Sequence, residues 1–170
     1  MTFRSVPQRD IVILSSILIV ASLLRFIGLD APLWYDEIVT VLESIRMPLD
    51  VVTTEFSMNN HVFYSLQAKF FIAIFGEHNW VVRLPAALFG IAGVAAIWWL
   101  SYMLIGPWQA HVAAGLMAIS YHHVWFSQNA RGYTELLFWN VLGVILFLQA
   151  LKDNRWRMWI GFGLSLFAAL

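Results

Sequence analysis

The chain has no cysteine, which removes disulfides, thiolate metal sites and cysteine nucleophiles together and leaves the redox compartment open. It is also poor in charge: 12% of its 170 residues are Asp, Glu, Lys or Arg, about half of the roughly 25% usual in a soluble domain. Ten basic and ten acidic side chains cancel, so nothing attracts the chain in bulk to nucleic acid, and electrostatic arguments rest on where the few charges fall. No repeat period, low-complexity tract or soluble linker interrupts it. What is abundant is apolar: 61% of residues are hydrophobic, with nine Trp, thirteen Phe and five Tyr. That load excludes both a water-soluble globule and a disordered segment. The solvent of this chain is mostly lipid.

The first apolar run, residues 11–29, suits the roughly 20 residues needed to cross a bilayer core. Arg4 and Arg9 precede it, Arg25 lies near its far end, and no small-x-small cleavage site follows, so it reads as an uncleaved anchor with a cytoplasmic N-terminus. Further spans are expected at 84–105, 110–126 and 134–151, separated by the Gly106-Pro107 turn and the polar interval 127–133. A last stretch, 158–170, has thirteen residues, too few to span, so the expectation is the N-terminal part of one longer domain, inactive by itself.

The segment 61–75 is interrupted by Gln67 and Lys69 and is placed at the interface. That choice leaves Lys152, Arg155 and Arg157 in the cytoplasm, as the positive-inside bias prefers. The loop 30–82 then lies outside, with Asp30, Asp36, Glu37, Glu43, Asp50, Glu55 and Glu77 against Arg46 and Lys69. Arg25 is expected to snorkel outward, and Arg83 before Leu84-Pro85 to mark the start of the second span, since proline suits a first helical turn. The predicted fold is an all-α integral membrane protein, a multi-span helical bundle whose extracytoplasmic first loop carries interfacial helices. The intervals 30–82 and 127–133 emerge on the same face.

Three polar constellations stand out. In Trp34-Tyr35-Asp36-Glu37, followed by Ile38, Val41, Leu42 and Ile45 at amphipathic spacing, Asp36 either caps an interfacial helix or joins Glu37 as a partly desolvated carboxylate pair able to act as a base. In Asn59-Asn60-His61, followed by Phe63-Tyr64, Asn60 either caps a helix or lines a polar pocket with His61. The densest cluster runs from Tyr121 to Tyr133 and holds His122, His123, Gln128, Asn129 and Arg131. Arg131 either pairs with Glu135 four residues on, or snorkels, or presents its planar donors to phosphate oxygens. No HxxxH or carboxylate-histidine spacing makes a ligand set, so no metal or other cofactor is expected.

In order, these elements resemble the N-terminal half of the lipid-linked-sugar glycosyltransferases of the GT-C fold, in the protein O-mannosyltransferase and lipid A aminoarabinose transferase group. Trp34-Tyr35-Asp36-Glu37 is similar to that group's first-loop acidic motif. Phe75-Gly76-Glu77 with Arg83-Leu84-Pro85-Ala86-Ala87-Leu88-Phe89-Gly90 is similar to its FG(E/D)…RLPSALFG block, and Ser127-Gln128-Asn129-Ala130-Arg131-Gly132-Tyr133 to its SQxARxY block. Many relatives carry a His-Pro-Pro-type motif where this chain has Asn59-Asn60-His61, which leaves the acceptor open.

The resemblance implies transfer of one sugar from a polyprenyl-phosphate carrier to a protein, lipid or glycan acceptor, with inversion, outside the cytoplasmic membrane. It implies Asp36 as general base or acceptor-orienting carboxylate, Glu37 in support, and Arg131 on the donor phosphate with Tyr133 beside it. Asn60, His61, Tyr64, His123 and Gln128 are then candidates for the acceptor pocket. A reading from another class is a non-catalytic membrane subunit or lipid-binding scaffold that keeps the fold.

Overall fold

The computed structural model describes residues 6–54 and 61–169. Among them every regular element is helical: α1 (Gln8–Phe26), α2 (Tyr35–Thr40, continued by a π-helical turn, Val41–Ile45), α3 (Leu49–Thr54), α4 (Val62–Phe75), α5 (Asn79–Leu104), α6 (Pro107–Ile119), α7 (Tyr121–Ser127), α8 (Tyr133–Asp153) and α9 (Trp156–Ala168). Two of these, α5 and α8, are long and apolar enough to cross a membrane. The 19-residue α1 carries Arg9, Asp10 and Arg25 and is less uniformly apolar. Large side chains such as Ile19, Leu23, Leu164 and Phe167 face outward, as a lipid-covered surface allows.

α5 is the central post, packed against α1, α4, α6, α7 and α8. One core joins Ala21 of α1, Val94 and Trp98 of α5, and Ala110, Ala114 and Ala118 of α6. The alanines recur every fourth residue, so one face of α6 is small and the backbones approach closely, the usual packing device where lipid removes the hydrophobic drive between helices. A second core joins Val41 and Ile45 to Tyr64, Ala68, Val82, Ala86 and Ala130. The π-helical turn reaches it with Val41 and Ile45, while Ile38 and Leu42 stay exposed. Gly106, at φ 117, makes the turn ahead of Pro107, which opens α6.

Three expectations are corrected. α5 begins at Asn79, not near residue 84, and Pro85 lies inside it. The cap that allows the earlier start comes from the first loop: Trp80 N donates to Asp30 Oδ1 at 3.3 Å. Side chains from neighbouring helices bond carbonyls on either side of Pro85, with Tyr64 Oη donating to Val82 O at 2.7 Å and Thr134 Oγ1 to Ala86 O at 2.8 Å.

The span expected at 110–126 is two helices separated by extended Ser120, and the reason lies in Arg25. Arg25 does not snorkel; it is fully buried. Its Nη1 donates to Ala118 O at 3.1 Å and to Ala21 O at 2.9 Å, its Nη2 reaches Met117 O at 3.5 Å and His123 Nδ1 at 2.6 Å, and its Nε donates to Ser127 Oγ at 3.2 Å. A helix can break inside lipid only where its released carbonyls find donors, and Arg25 supplies them.

At the other end of α1, Trp98 Nε1 donates to His111 Nδ1 at 3.1 Å, and His111 Nε2 lies 3.1 Å from Asp10 Oδ1. The indole donor makes Nδ1 the acceptor, so the proton sits on Nε2 and points at the carboxylate. α1 is thus fixed at both ends by polar groups from α5, α6 and α7.

The approach of α5 to α7 gives a stability test. A Cβ on Gly90 would lie 2.2 Å from Ser127 Oγ, and that hydroxyl is held by bonds to His123 O and Arg25. Gly90→Ala should cost about 1–3 kcal/mol as overpacking. A Cβ on Gly115 in α6 meets nothing within 4 Å, so Gly115→Ala should be neutral or stabilising by up to about 1 kcal/mol. Thermal midpoints in detergent check both, and equal midpoints for the two variants would contradict this packing.

Candidate functional site

The site forms where the first loop meets the segment between α7 and α8. α2 starts at Tyr35 with Trp34 as its N-cap, so Asp36 is the second helical residue and does not cap the helix. Successive helical residues point about 100° apart, and the two adjacent carboxylates separate accordingly. The Asp36 side chain is 72% exposed, whereas that of Glu37 is fully buried.

Glu37 has both oxygens occupied. Oε1 accepts from Arg83 Nε at 2.8 Å and from Ala130 N at 2.7 Å; Oε2 accepts from Arg83 Nη2 at 2.7 Å and from Trp34 N at 2.8 Å. Arg83 completes its own set on Leu29 O, Ala31 O and Pro32 O, at 2.8, 2.7 and 3.1 Å. The residue expected only to mark a helix start is therefore the partner of a buried carboxylate.

The segment carrying Arg131 is tied down on both sides. Gln128 Nε2 donates to Leu24 O at 2.9 Å and Ile27 O at 2.7 Å, closing the end of α1, and Ala130 N is held by Glu37. Arg131 follows directly and is 8% exposed. Its Nη2 donates to Tyr133 Oη at 3.2 Å, its Cζ lies 5.4 Å from the Tyr133 ring centroid, and its Nη1 is 3.9 Å from Asp36 Oδ2. Its buried Nε has no hydrogen-bond partner among the described residues. Arg131 precedes α8, so the helical i,i+4 pairing with Glu135 does not form; Glu135 instead accepts from Gln67 Nε2 at 2.5 Å and Trp139 Nε1 at 3.3 Å.

His61 packs edge-on to Tyr133, with ring centroids 5.5 Å apart. Burial, helped by the nearby Arg131 cation, pushes its imidazole below the usual histidine range, which keeps it uncharged at neutral pH. Tyr64 is buried with its hydroxyl on Val82 O. His123 is held by Arg25 and Gln128 by the end of α1, so the structure assigns these two to helix contacts. Asn60 lies outside the described residues. Among the described residues no three His, Asp or Glu side chains group as metal ligands.

The structure therefore brings together Asp36, Arg131, Tyr133 and His61 as neighbours. Arg83 and Glu135 were missed as site elements, because an arginine or glutamate bordering an apolar run looks like an end marker until its partner is known.

Comparison with known proteins follows the same ground. A family model described as dolichyl-phosphate-mannose-protein mannosyltransferase matches residues 62–170. The chain belongs to that family. The match includes Tyr64, Arg131, Tyr133 and Glu135 and leaves Asp36 and Glu37 before its start. A protein of Bacillus subtilis (strain 168) named "Putative mannosyltransferase YycA" is 32% identical over 85 residues, covering 50% of this chain and 12% of that protein. No solved structure matches.

The Glu37–Arg83 pair is testable on its own. Removing one partner of a buried pair strands the other charge at about 3–5 kcal/mol. Glu37→Gln and Arg83→Met should each sharply reduce the yield of folded protein on fluorescence-detected size exclusion, and the double variant should recover part of it. A single variant eluting like the parent would sink this assignment.

Proposed function

We propose that this chain carries the acceptor-activating and donor-phosphate-binding parts of an integral membrane glycosyltransferase. It moves one sugar from a polyprenyl-phosphate carrier to an acceptor hydroxyl on the extracytoplasmic side of the cytoplasmic membrane, inverting the anomeric centre. Family membership supports the reaction class, and the name of the Bacillus subtilis relative describes a mannosyltransferase.

The observation that carries the reading is how unequally the three arginines buried among the described residues are satisfied. A guanidinium has five N–H donors. Among the described residues Arg25 and Arg83 each meet five acceptors, while Arg131 makes one hydrogen bond, to Tyr133, and keeps a buried Nε without a partner. Such a cation suits an incoming anion, and a phosphate diester offers several oxygens to one planar fork.

In the proposed step the acceptor O–H gives its proton to Asp36 as its oxygen bonds to the anomeric carbon. The bond from that carbon to the phosphate oxygen breaks, and polyprenyl phosphate leaves with the electron pair. Arg131 meets the charge that gathers on the phosphate. Tyr133 holds the guanidinium, and Glu37, fully occupied by donors, positions Ala130 and hence Arg131.

Asp36→Asn should lower transfer by roughly 10²–10⁴-fold, the range for a general base. Arg131→Ala should lower it by roughly 10²–10³-fold, comparable to losing a group that stabilises developing charge. Assays in membranes, with insertion checked by immunoblot, decide it; normal transfer by both variants removes these roles. Reporter fusions test the orientation: at residues 106 and 154 they should report the cytoplasm, and at 130 the outside. The reverse pattern would put the site on the wrong face for this reaction.

A further inference from the structure

α4, α8 and α9 border a cavity of about 160 Å³ whose lining includes His61, Phe63, Tyr64, Gly132, Glu135 and Leu136. Glu135, in the first turn of α8, is 3% exposed and belongs to no ion pair among the described residues. Among the described residues the two side-chain donors that reach it, Gln67 Nε2 and Trp139 Nε1, bind the same oxygen, Oε1. A carboxylate in a membrane helix is costly and marks function by default. Simple hydrogen bonding to Gln67 and Trp139 could be served by an uncharged amide.

The surroundings indicate the ligand class. The Glu135 carboxylate and the Phe63 ring line the cavity, while Gln67 and Trp139 hold Glu135 from outside that lining. A hydroxyl can donate to the carboxylate while the Phe63 ring covers the C–H surface of a sugar. The cavity wall is linked to the Arg131 site by side-chain contacts. His61 in its wall packs on Tyr133, and the Tyr133 hydroxyl accepts from Arg131.

We propose that Glu135, oriented by Gln67 and Trp139, is a specificity-determining residue that accepts a hydrogen bond from a hydroxyl of the transferred sugar while Arg131 holds the phosphate of the same donor. The assignment rests on the glycosyltransferase reading and deepens it.

Two short-chain probes separate the contributions: a polyprenyl monophosphate and the same lipid as its phosphohexose. Both are titrated into the full-length protein in detergent, for the parent, Glu135→Gln, Glu135→Ala and Arg131→Ala. Each Glu135 variant should bind the phosphohexose at least about tenfold more weakly, as expected for losing a hydrogen bond to a charged group, with little change for the bare phosphate. Arg131→Ala should weaken both. Glu135 variants that keep the parent's preference for the sugar-bearing probe, or lose both probes equally, overturn the Glu135 assignment alone. A parent that binds neither probe overturns the glycosyltransferase reading as well. A series of monodeoxy donors needs no variant. The parent should reject one of them by at least about tenfold, and equal affinity for all of them also overturns the proposal.

Discussion

A carboxylate taken wholly out of solvent is stable only if its charge is met and its lone pairs are filled, and Glu37 satisfies both conditions with donors from three separate stretches of chain. Arg83 comes from α5, Trp34 N from the entry to α2, and Ala130 N from the segment between α7 and α8. Asp36 is the residue before Glu37, and Arg131 is the residue after Ala130. Joining residue 37 to residue 130 therefore leaves Asp36 and Arg131 little choice but to be neighbours. The 3.9 Å between their side chains follows from a buried clamp that neither belongs to. Arg83 extends the clamp by bonding the carbonyls of Leu29, Ala31 and Pro32, which sets where the chain leaves α1 and turns toward α2.

The same economy governs the break between α6 and α7. An uninterrupted helix there would continue past Ser120 and carry residues 127–133 elsewhere. The break depends on Arg25 reaching the carbonyls of Met117 and Ala118, and Gln128 returns the favour by bonding carbonyls at the end of α1. The end of α1 and the α6–α7 segment thus complete each other's backbone hydrogen bonding, which a lipid environment demands of any irregular segment. Asp10, His111 and Trp98 tie the far end of α1 to α5 and α6 through side chains alone.

Most of the helical segments were legible because apolar runs and turn residues are local signals. The positions of α5, α8 and α9 follow from them to within several residues, and Gly106-Pro107 forms the turn its composition predicts. What was not legible depends on partners far along the chain. Nothing near Arg25 indicates that Ser127 and Ala118 will receive it, nothing near Pro85 indicates that Asp30 caps the helix six residues earlier, and the break at Ser120 has no proline or glycine to announce it. At the site, the pairing of Asp36 with Arg131 was anticipated only as two polar intervals on one face. The different surroundings of Asp36 and Glu37, adjacent and chemically alike, emerge from which side of a short helix each occupies.

Three buried arginines among the described residues share one side-chain chemistry and show two degrees of satisfaction. Arg25 is met by carbonyls, a hydroxyl and an imidazole, and Arg83 by a carboxylate and carbonyls; each has five acceptors, and each acts as structure. Arg131 is almost as buried, yet its one bonded acceptor among the described residues is a phenol, and the carboxylate beside it stands beyond hydrogen-bond distance. Leaving donors of a buried guanidinium unmet costs free energy, so the folded protein favours whatever anion completes the set. In the proposed reaction that anion is the donor phosphate. The open donors of Arg131 and its place beside Asp36 both trace back to the clamp that holds Ala130.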